Sequence, residues 1–179
     1  KYNNLELNKK PELIISLGGD GTYLYNERKY PNISKILVRD NSICNLCSIY
    51  DIKDIKEILN KINKKQFHLL KILKLECRFK NKKLIAVNDI VIRNRYQYEA
   101  IRFNLNNEKN IFGDGLVICT PFGSTGYFKN ITKTSFSQGI GVAFNNTNYK
   151  DTFIVLNENE KMKFKLLRSQ TLVSADNNK

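Results

Sequence analysis

Leu13-Ile14-Ile15-Ser16-Leu17-Gly18-Gly19-Asp20-Gly21-Thr22 is the stretch that decides the fold class. Its first five residues form an apolar run of the kind found in a strand buried on both faces of a parallel sheet. The glycines that follow predict a turn at the strand's carboxyl end, where open α/β sheets bind ligands. Gly18 and Gly19 remove side chains and permit unusual backbone angles. Their N–H groups can cradle oxyanions. An acid held in such a turn, here Asp20, can take the proton of an attacking hydroxyl or hold a metal ion. The plainer reading is a strand-to-helix turn capped by Asp20. Three glycines around one acid exceed what a cap needs, so the phosphate-site reading is preferred.

Working outward, residues 36–38 form a second short apolar run after the turn signal Pro31-Asn32. Residues 1–41 therefore read as part of a Rossmann-like α/β unit, too short to close such a sheet alone. Residues 51–63 predict one clear helix, with Ile52, Ile55, Ile58, Leu59 and Ile62 at helical spacing. Asp51 and Asp54 sit near its start, where the helix dipole favours carboxylates. From Leu69 onward the period changes to alternation. Strands are predicted over 84–92, 98–105, 115–119, 140–144, 152–156, 162–167 and 171–173. Residues 106–110 and 157–160 read as hairpin loops. The expected organisation is α/β plus all-β: residues 1–41 as the α/β part, and 42–179 as a helix followed by a β-rich dinucleotide-binding domain.

A second informative string is Gly113-Asp114-Gly115-Leu116-Val117-Ile118-Cys119-Thr120-Pro121-Phe122-Gly123-Ser124-Thr125-Gly126-Tyr127. Thr120, Pro121, Phe122 and Gly123 break a strand. Ser124, Thr125 and Tyr127 then supply hydroxyls, Gly126 allows close approach, and Asp114 adds an acceptor. Between the two strings lies Asn88-Asp89, at the end of an apolar run. An amide beside a carboxylate suits the hydroxyls of a ribose or the edge of a base, and equally suits a polar strand end. Together these features suggest an enzyme that moves a phosphoryl group onto a nucleotide. The G-x-x-x-x-G-K-[ST] loop, a complete G-x-G-x-x-G and the G-x-S-x-G elbow are all absent from the sequence.

The 179 residues carry 41% apolar residues and a formal charge of +13. That suffices for a buried core in one domain or two small ones. No apolar run approaches the ~20 residues of a membrane helix, and a cytoplasmic, membrane-free protein is expected. Basic residues recur along the whole length rather than in one block. No nucleic-acid partner is expected from them, and the charge is read as steering for anionic substrates. Cys44 and Cys47 form a lone C-x-x-C with no second pair, and His68 is the only histidine. A four-ligand zinc site is not expected, and the four cysteines read as reduced thiols. One histidine in an apolar stretch also argues against Ser-His-Asp or Cys-His catalysis.

These motifs resemble the NAD kinase family. That family carries a GGDGT string, an Asn-Glu or Asn-Asp pair within an apolar strand, and a DGL…STPTGSTAY string, in this order. The resemblance implies a Rossmann-like N-terminal part and a C-terminal β-sandwich with the active site between them. It implies transfer of the γ-phosphate of ATP to the 2′-hydroxyl of the adenosine ribose of NAD, giving NADP. Asp20 would be the general base, and Gly18, Gly19, Gly21 and Thr22 would shape the phosphate site. Asn88 and Asp89 would bind the NAD adenosine, and Asp114 the nicotinamide end. Thr125, Gly126 and Tyr127 would line the dinucleotide pocket. Mg²⁺ is expected with ATP, no protein metal site is assigned, and a homo-oligomer, dimer or tetramer, is implied.

The chain departs from the family pattern in places. Seventeen residues precede Gly18, where the family has several dozen, so a short or N-terminally trimmed, divergent member is expected. Residues 40–47 replace a glycine-containing loop, Phe122 replaces Thr or Ser, and Gly126 replaces Ala. Rival readings are a diacylglycerol- or sphingosine-type lipid kinase, which shares GGDGT, and a non-catalytic NAD(P)-binding protein. The Asn88-Asp89 pair and the second string favour the dinucleotide enzyme, and Asp20 favours a catalyst.

Overall fold

Residues 11–40 and 50–178 are described by the computed structural model. Cys44 and Cys47 lie outside the described residues, as does nearly all of the divergent 40–47 loop. The chain divides into two units, Lys1–Lys71 and Ile72–Lys179. The helix expected to open the second part thus groups with the first.

In the first unit, β1 (Leu13–Leu17) and β2 (Ser34–Val38) pair in parallel, Leu13 opposite Ser34 and Leu17 opposite Val38. The ladder continues into the glycine turn, where the Gly18 N–H donates to the Val38 carbonyl at 3.0 Å. Helix α1 (Asp20–Lys29) makes the crossover that a parallel pair requires. Asp20 lies in its first turn and Arg28 and Lys29 in its last, matching the helix dipole. The helix ends at Tyr30, just before Pro31, because a residue preceding proline is pushed out of the helical region. Its Tyr23 and Leu24 are buried, and Asn26 Nδ2 donates to the buried Ser16 Oγ at 3.1 Å. Lys35 pairs with Glu27 at 2.7 Å and donates to the Tyr30 and Ile33 carbonyls, fixing the return of the chain into β2.

Helix α2 (Ile55–Asn63) follows a short 3-10 turn, Ile52–Asp54. Asp51 and Asp54 cap this turn reciprocally: Asp51 Oδ1 accepts from the Lys53 N–H, and Asp54 Oδ2 accepts from the Asp51 N–H.

The second unit is a β-sandwich. Strands β3 (Leu75–Phe79) and β4 (Lys82–Ala86) form a hairpin of their own. The main sheet contains β5 (Asp89–Asn94), β6 (Ile101–Leu105), β7 (Glu108–Cys119), β8 (Ile140–Thr147), β9 (Phe153–Leu156), β10 (Phe164–Arg168) and β11 (Thr171–Ala175). Its path runs β10-β6-β7-β5-β11, with β8 on the free side of β7 and β9 beyond it. The long β7 serves two neighbours in turn. Its first half pairs with β6, and its second half pairs with β5. Alternation sets the two faces of β5, β7 and β8. Ile90, Ile92, Leu116, Ile118, Val142 and Phe144 turn inward with Phe103 and Ile111. Val91, Val117, Cys119 and Ala143 turn the other way, under Phe128 of α3 (Tyr127–Thr132).

The predicted strand over 84–92 is two strands, β4 and β5, separated at Val87 and Asn88. Apolar residues lie on both sides of the Asn88-Asp89 pair, but the backbone N–H groups there turn to a side chain instead of a neighbouring strand. The predicted 106–110 loop is also shorter, since β7 already begins at Glu108.

Candidate functional site

In the first unit, Asp20 stands at the head of α1 immediately after the glycine turn, with Gly19 as the N-cap. Gly18 takes φ +139°, a conformation that L side chains rarely adopt, and a Cβ there would meet Thr22 Oγ1 at 2.6 Å. Gly18 is therefore required by the fold. Gly21 is not, because no atom lies within 4 Å of where its Cβ would be. A glycine without a packing reason at a helix start leaves room for a ligand anion to approach the backbone. Gly21 and Thr22 are exposed, and Asp20 is half-buried. Gly18 and Gly19 thus form the bend, and Asp20, Gly21 and Thr22 form the first turn of α1, so the expected turn is a strand-to-helix junction.

In the second unit the structure builds a turn around Asn88. Asp176 accepts from three consecutive backbone N–H groups: Val87 at 2.9 Å, Asn88 at 2.8 Å and Asp89 at 3.1 Å. The Asp176 N–H in turn donates to the Asp89 carbonyl at 3.0 Å. From the other side, Thr120 Oγ1 donates to the Val87 carbonyl at 2.6 Å, and the Thr120 N–H donates to the Asn88 carbonyl at 3.1 Å. Gly123 closes over the turn, where a Cβ would lie 2.3 Å from the Asn88 carbonyl oxygen. The Gly123 N–H donates to Thr120 Oγ1.

The side chain of Asn88 is then aimed by its neighbour. Its Nδ2 donates to Asp89 Oδ2 at 3.2 Å. Its Oδ1 is buried and has no hydrogen-bond partner among the described residues. Native folds rarely leave such an atom unpaired, and those that do so usually have a functional reason. Asp89 is 4% exposed. Burial, and secondly the charge of Asp176, push its carboxyl up to about 6. The Cys119 thiol, opposite Asp89 across β5 and β7, is pushed up by burial and then by the Asp89 charge, so it is inert as a nucleophile near neutrality.

Three of the string residues gather near this turn. A 3-10 turn, Phe122–Thr125, leads through Gly126 into α3. A Cβ on Gly126 would lie 3.9 Å from Asn88 Nδ2. Thr125 is exposed and Tyr127 is 36% exposed, so both are free to meet a ligand. Ser124 is different from its sequence reading: its hydroxyl donates to the Phe136 carbonyl at 3.0 Å and is buried. It holds the loop. Asp114 stands apart. It lies five positions before Cys119 on β7, roughly 17 Å along the strand at about 3.4 Å per residue. There it accepts from Asn146 Nδ2 at 3.2 Å.

Sequence reasoning passed over Asp176 and Thr120 as parts of this site. The signal for Asp176 was slight: Asp176, Asn177 and Asn178, turn formers at the end of a strand. Among the described residues, no group of three or more His, Cys, Asp or Glu side chains gathers to hold a metal ion.

No protein-family model matches the chain. By sequence it is similar to the NAD kinase of Clostridium beijerinckii, 32% identical over 138 residues that make up 72% of this chain and 46% of that protein. It is similar to the NAD kinase of Buchnera aphidicola subsp. Schizaphis graminum, 29% identical over 133 residues, 69% of this chain and 46% of that protein. The chain thus spans about half the length of the curated relatives it matches. By structure it is similar to yeast NADH kinase complexed with NADH, with TM-score 0.82 and 20% identity over 94% of this chain and 54% of that one. It is also similar to an NAD kinase from Archaeoglobus fulgidus in complex with ATP, with TM-score 0.78 and 19% identity over 97% of this chain and 74% of that one. A partial Rossmann-like α/β unit followed by a β-sandwich is thus the fold this chain shares with the two NAD(H) kinase structures. Motifs, sequence relatives and fold agree, and the chain belongs to the NAD kinase family.

Proposed function

We propose that this chain is an NAD kinase, transferring the γ-phosphate of ATP to the 2′-hydroxyl of the adenosine ribose of NAD to give NADP. The observation that carries this reading is the Asn88 turn. Its backbone is held from two sides, and its amide lies beside Gly123 and Gly126, with one polar atom still unpaired. The sequence relatives named NAD kinase, and the NADH- and ATP-bound structural neighbours, support it over a lipid kinase.

In the reaction, O2′ of the ribose forms a bond to the γ-phosphorus as the bond to the β-bridging oxygen breaks, and ADP departs. Asp20 takes the hydroxyl proton as that bond forms, because a sugar hydroxyl is far too weak an acid to lose it beforehand. Gly18, Gly19, Gly21 and Thr22 shape the phosphate site. Asn88, with Asp89 behind it, binds the adenosine, and Thr125, Gly126 and Tyr127 contribute to the dinucleotide site. Asp114 is assigned to the nicotinamide end.

A single carboxylate beside an anion-binding turn fits Mg²⁺ held mainly by the triphosphate, since this ion takes one or two carboxylates and otherwise phosphate and water oxygens. Such an ion neutralises charge on the transferring phosphoryl group. Among the described residues no helix is long and apolar enough to cross a membrane. The reading keeps a cytoplasmic homo-oligomer.

Purified protein with ATP, Mg²⁺ and NAD is expected to form NADP in an enzyme-coupled assay. Asp20→Asn is expected to lower turnover by about 10²–10⁴-fold, the usual contribution of a positioned base. Wild-type turnover in that variant would remove Asp20 from its role.

A further inference from the structure

We infer that Asp176 is a positioning residue for dinucleotide binding: its carboxylate sets the backbone of residues 87–89 and thereby aims the Asn88 amide. The inference rests on the reading of Asn88 as an adenosine-binding residue. Asp176 comes from the far end of the unit's chain, 88 positions from Asn88, and is 2% exposed. It sits just past β11, which pairs with β5 with Ala175 opposite Ile90. There the strand turns sharply. Asp176 and Asn177 both take positive φ, +48° and +61°, and the Ala175 N–H donates to the Asn178 carbonyl at 2.8 Å while Asn178 N–H returns the bond at 2.9 Å. Two successive residues of positive φ are the mark of a tight primed turn, and Asp and Asn accept that conformation more readily than most residues.

The consequence is a carboxylate delivered to where the β4-to-β5 junction would otherwise leave three N–H groups unpaired. Oδ1 accepts from Asn88 and Asp89, and Oδ2 from Val87. A charged acceptor forms stronger bonds than a neutral one, and three convergent bonds from one side chain define the backbone direction at Asn88. Asp176 also lies close enough to the buried Asp89 to raise its proton affinity. The carboxylate is the group that can take all three bonds.

The test is a double-mutant cycle read by calorimetric NAD binding and by amide exchange. Asp176→Asn keeps an oxygen for the Asn88 and Asp89 N–H groups and loses the acceptor for Val87. Asp176→Ala loses all three. NAD affinity is expected to fall by about 3–10-fold in the Asn variant and by more than ~10-fold in the Ala variant. On an Asn88→Ala background the same substitutions are expected to cost less than ~2-fold more, because residues acting through one another are non-additive. Amide exchange at Val87, Asn88 and Asp89 is expected to accelerate in Asp176→Asn while the rest of β5 and β7 keeps its protection.

Additive losses in the cycle, or wild-type affinity and exchange in both variants, would overturn the inference. Failure of both variants to fold would overturn it too, since the residue would then hold the sandwich rather than the turn. If the wild-type protein binds no NAD, the functional reading fails separately, and the exchange result still decides whether Asp176 sets the turn.

Discussion

Gly123 and Asp89 show how closely the candidate site is governed by single residues. At Gly123 a methyl group would meet the carbonyl oxygen of Asn88 at 2.3 Å and its Oδ1 at 2.6 Å. Neither the carbonyl nor the amide can retreat, because Thr120 and Asp176 hold the backbone. Gly123→Ala is expected to cost about 1–3 kcal/mol in urea denaturation, the usual penalty for overpacking, and to weaken NAD binding by displacing Asn88. Unchanged affinity would mean that the amide is not a ligand contact. At Asp89 the prediction concerns pH. Its carboxyl is raised from 3.8 to about 6, by burial first and by Asp176 second. The folded protein therefore binds this proton more tightly than the unfolded chain. The stability that results is complete below the unfolded value, near pH 4, and is lost as pH rises through about 6. Relative to Asp89→Asn, the wild type is expected to lose on the order of 2–3 kcal/mol between about pH 4 and 7. A flat difference between the two denaturation series would show that Asp89 is ionised throughout. Of these residues, Asp20 and Asn88 were legible in the sequence because an acid among glycines and an amide in an apolar run are locally unusual. Asp176 was not, because its importance comes from partners 87 to 89 positions away.

At the scale of elements, the strands that the alternation predicted are present, most with ends moved by a few residues and β7 with a start seven residues earlier than predicted. Helix α2 is where its apolar spacing and its paired aspartate caps place it. Helices α1 and α3 and one strand break escaped. Residues 84–92 hide a strand break, since composition is the same on both sides of it. Helix α3 lies within a string chosen for its chemistry, and its six residues are too few for a periodic signal. What keeps α3 in place is Phe128, fully buried, with edge-on contacts to Phe136 at 5.1 Å and Phe153 at 5.5 Å. A helix this short has little stability of its own. Phe128→Ala is expected to cost about 3–5 kcal/mol and to release α3 before the sheet, with amide exchange rising first at residues 127–132. Simultaneous loss of protection in α3 and β7 would show that the helix and the sheet unfold as one.

At the scale of the whole molecule, the net charge of +13 bears on substrates rather than on fold. Both proposed substrates are anions, ATP far more strongly so than NAD. Rising salt between about 50 and 300 mM is expected to lower kcat/KM for ATP several-fold and to leave kcat nearly unchanged, because screening acts on encounter and not on the bound state. A fall in kcat itself would place the salt-sensitive charge at the reacting phosphate. The amino-acid sequence by itself determined the α/β start, the β-rich remainder, the glycine-acid string and the position of the Asn88-Asp89 pair. Each of these is a local pattern of side-chain type and period, readable within a few residues. Only the tertiary structure decided that the apolar run breaks at Asn88, that Ser124 serves the loop, that Asp114 stands apart, and that Asp176 aims the amide. Those outcomes depend on which backbone groups find partners across the sheet, and no window of sequence contains both ends of such a bond.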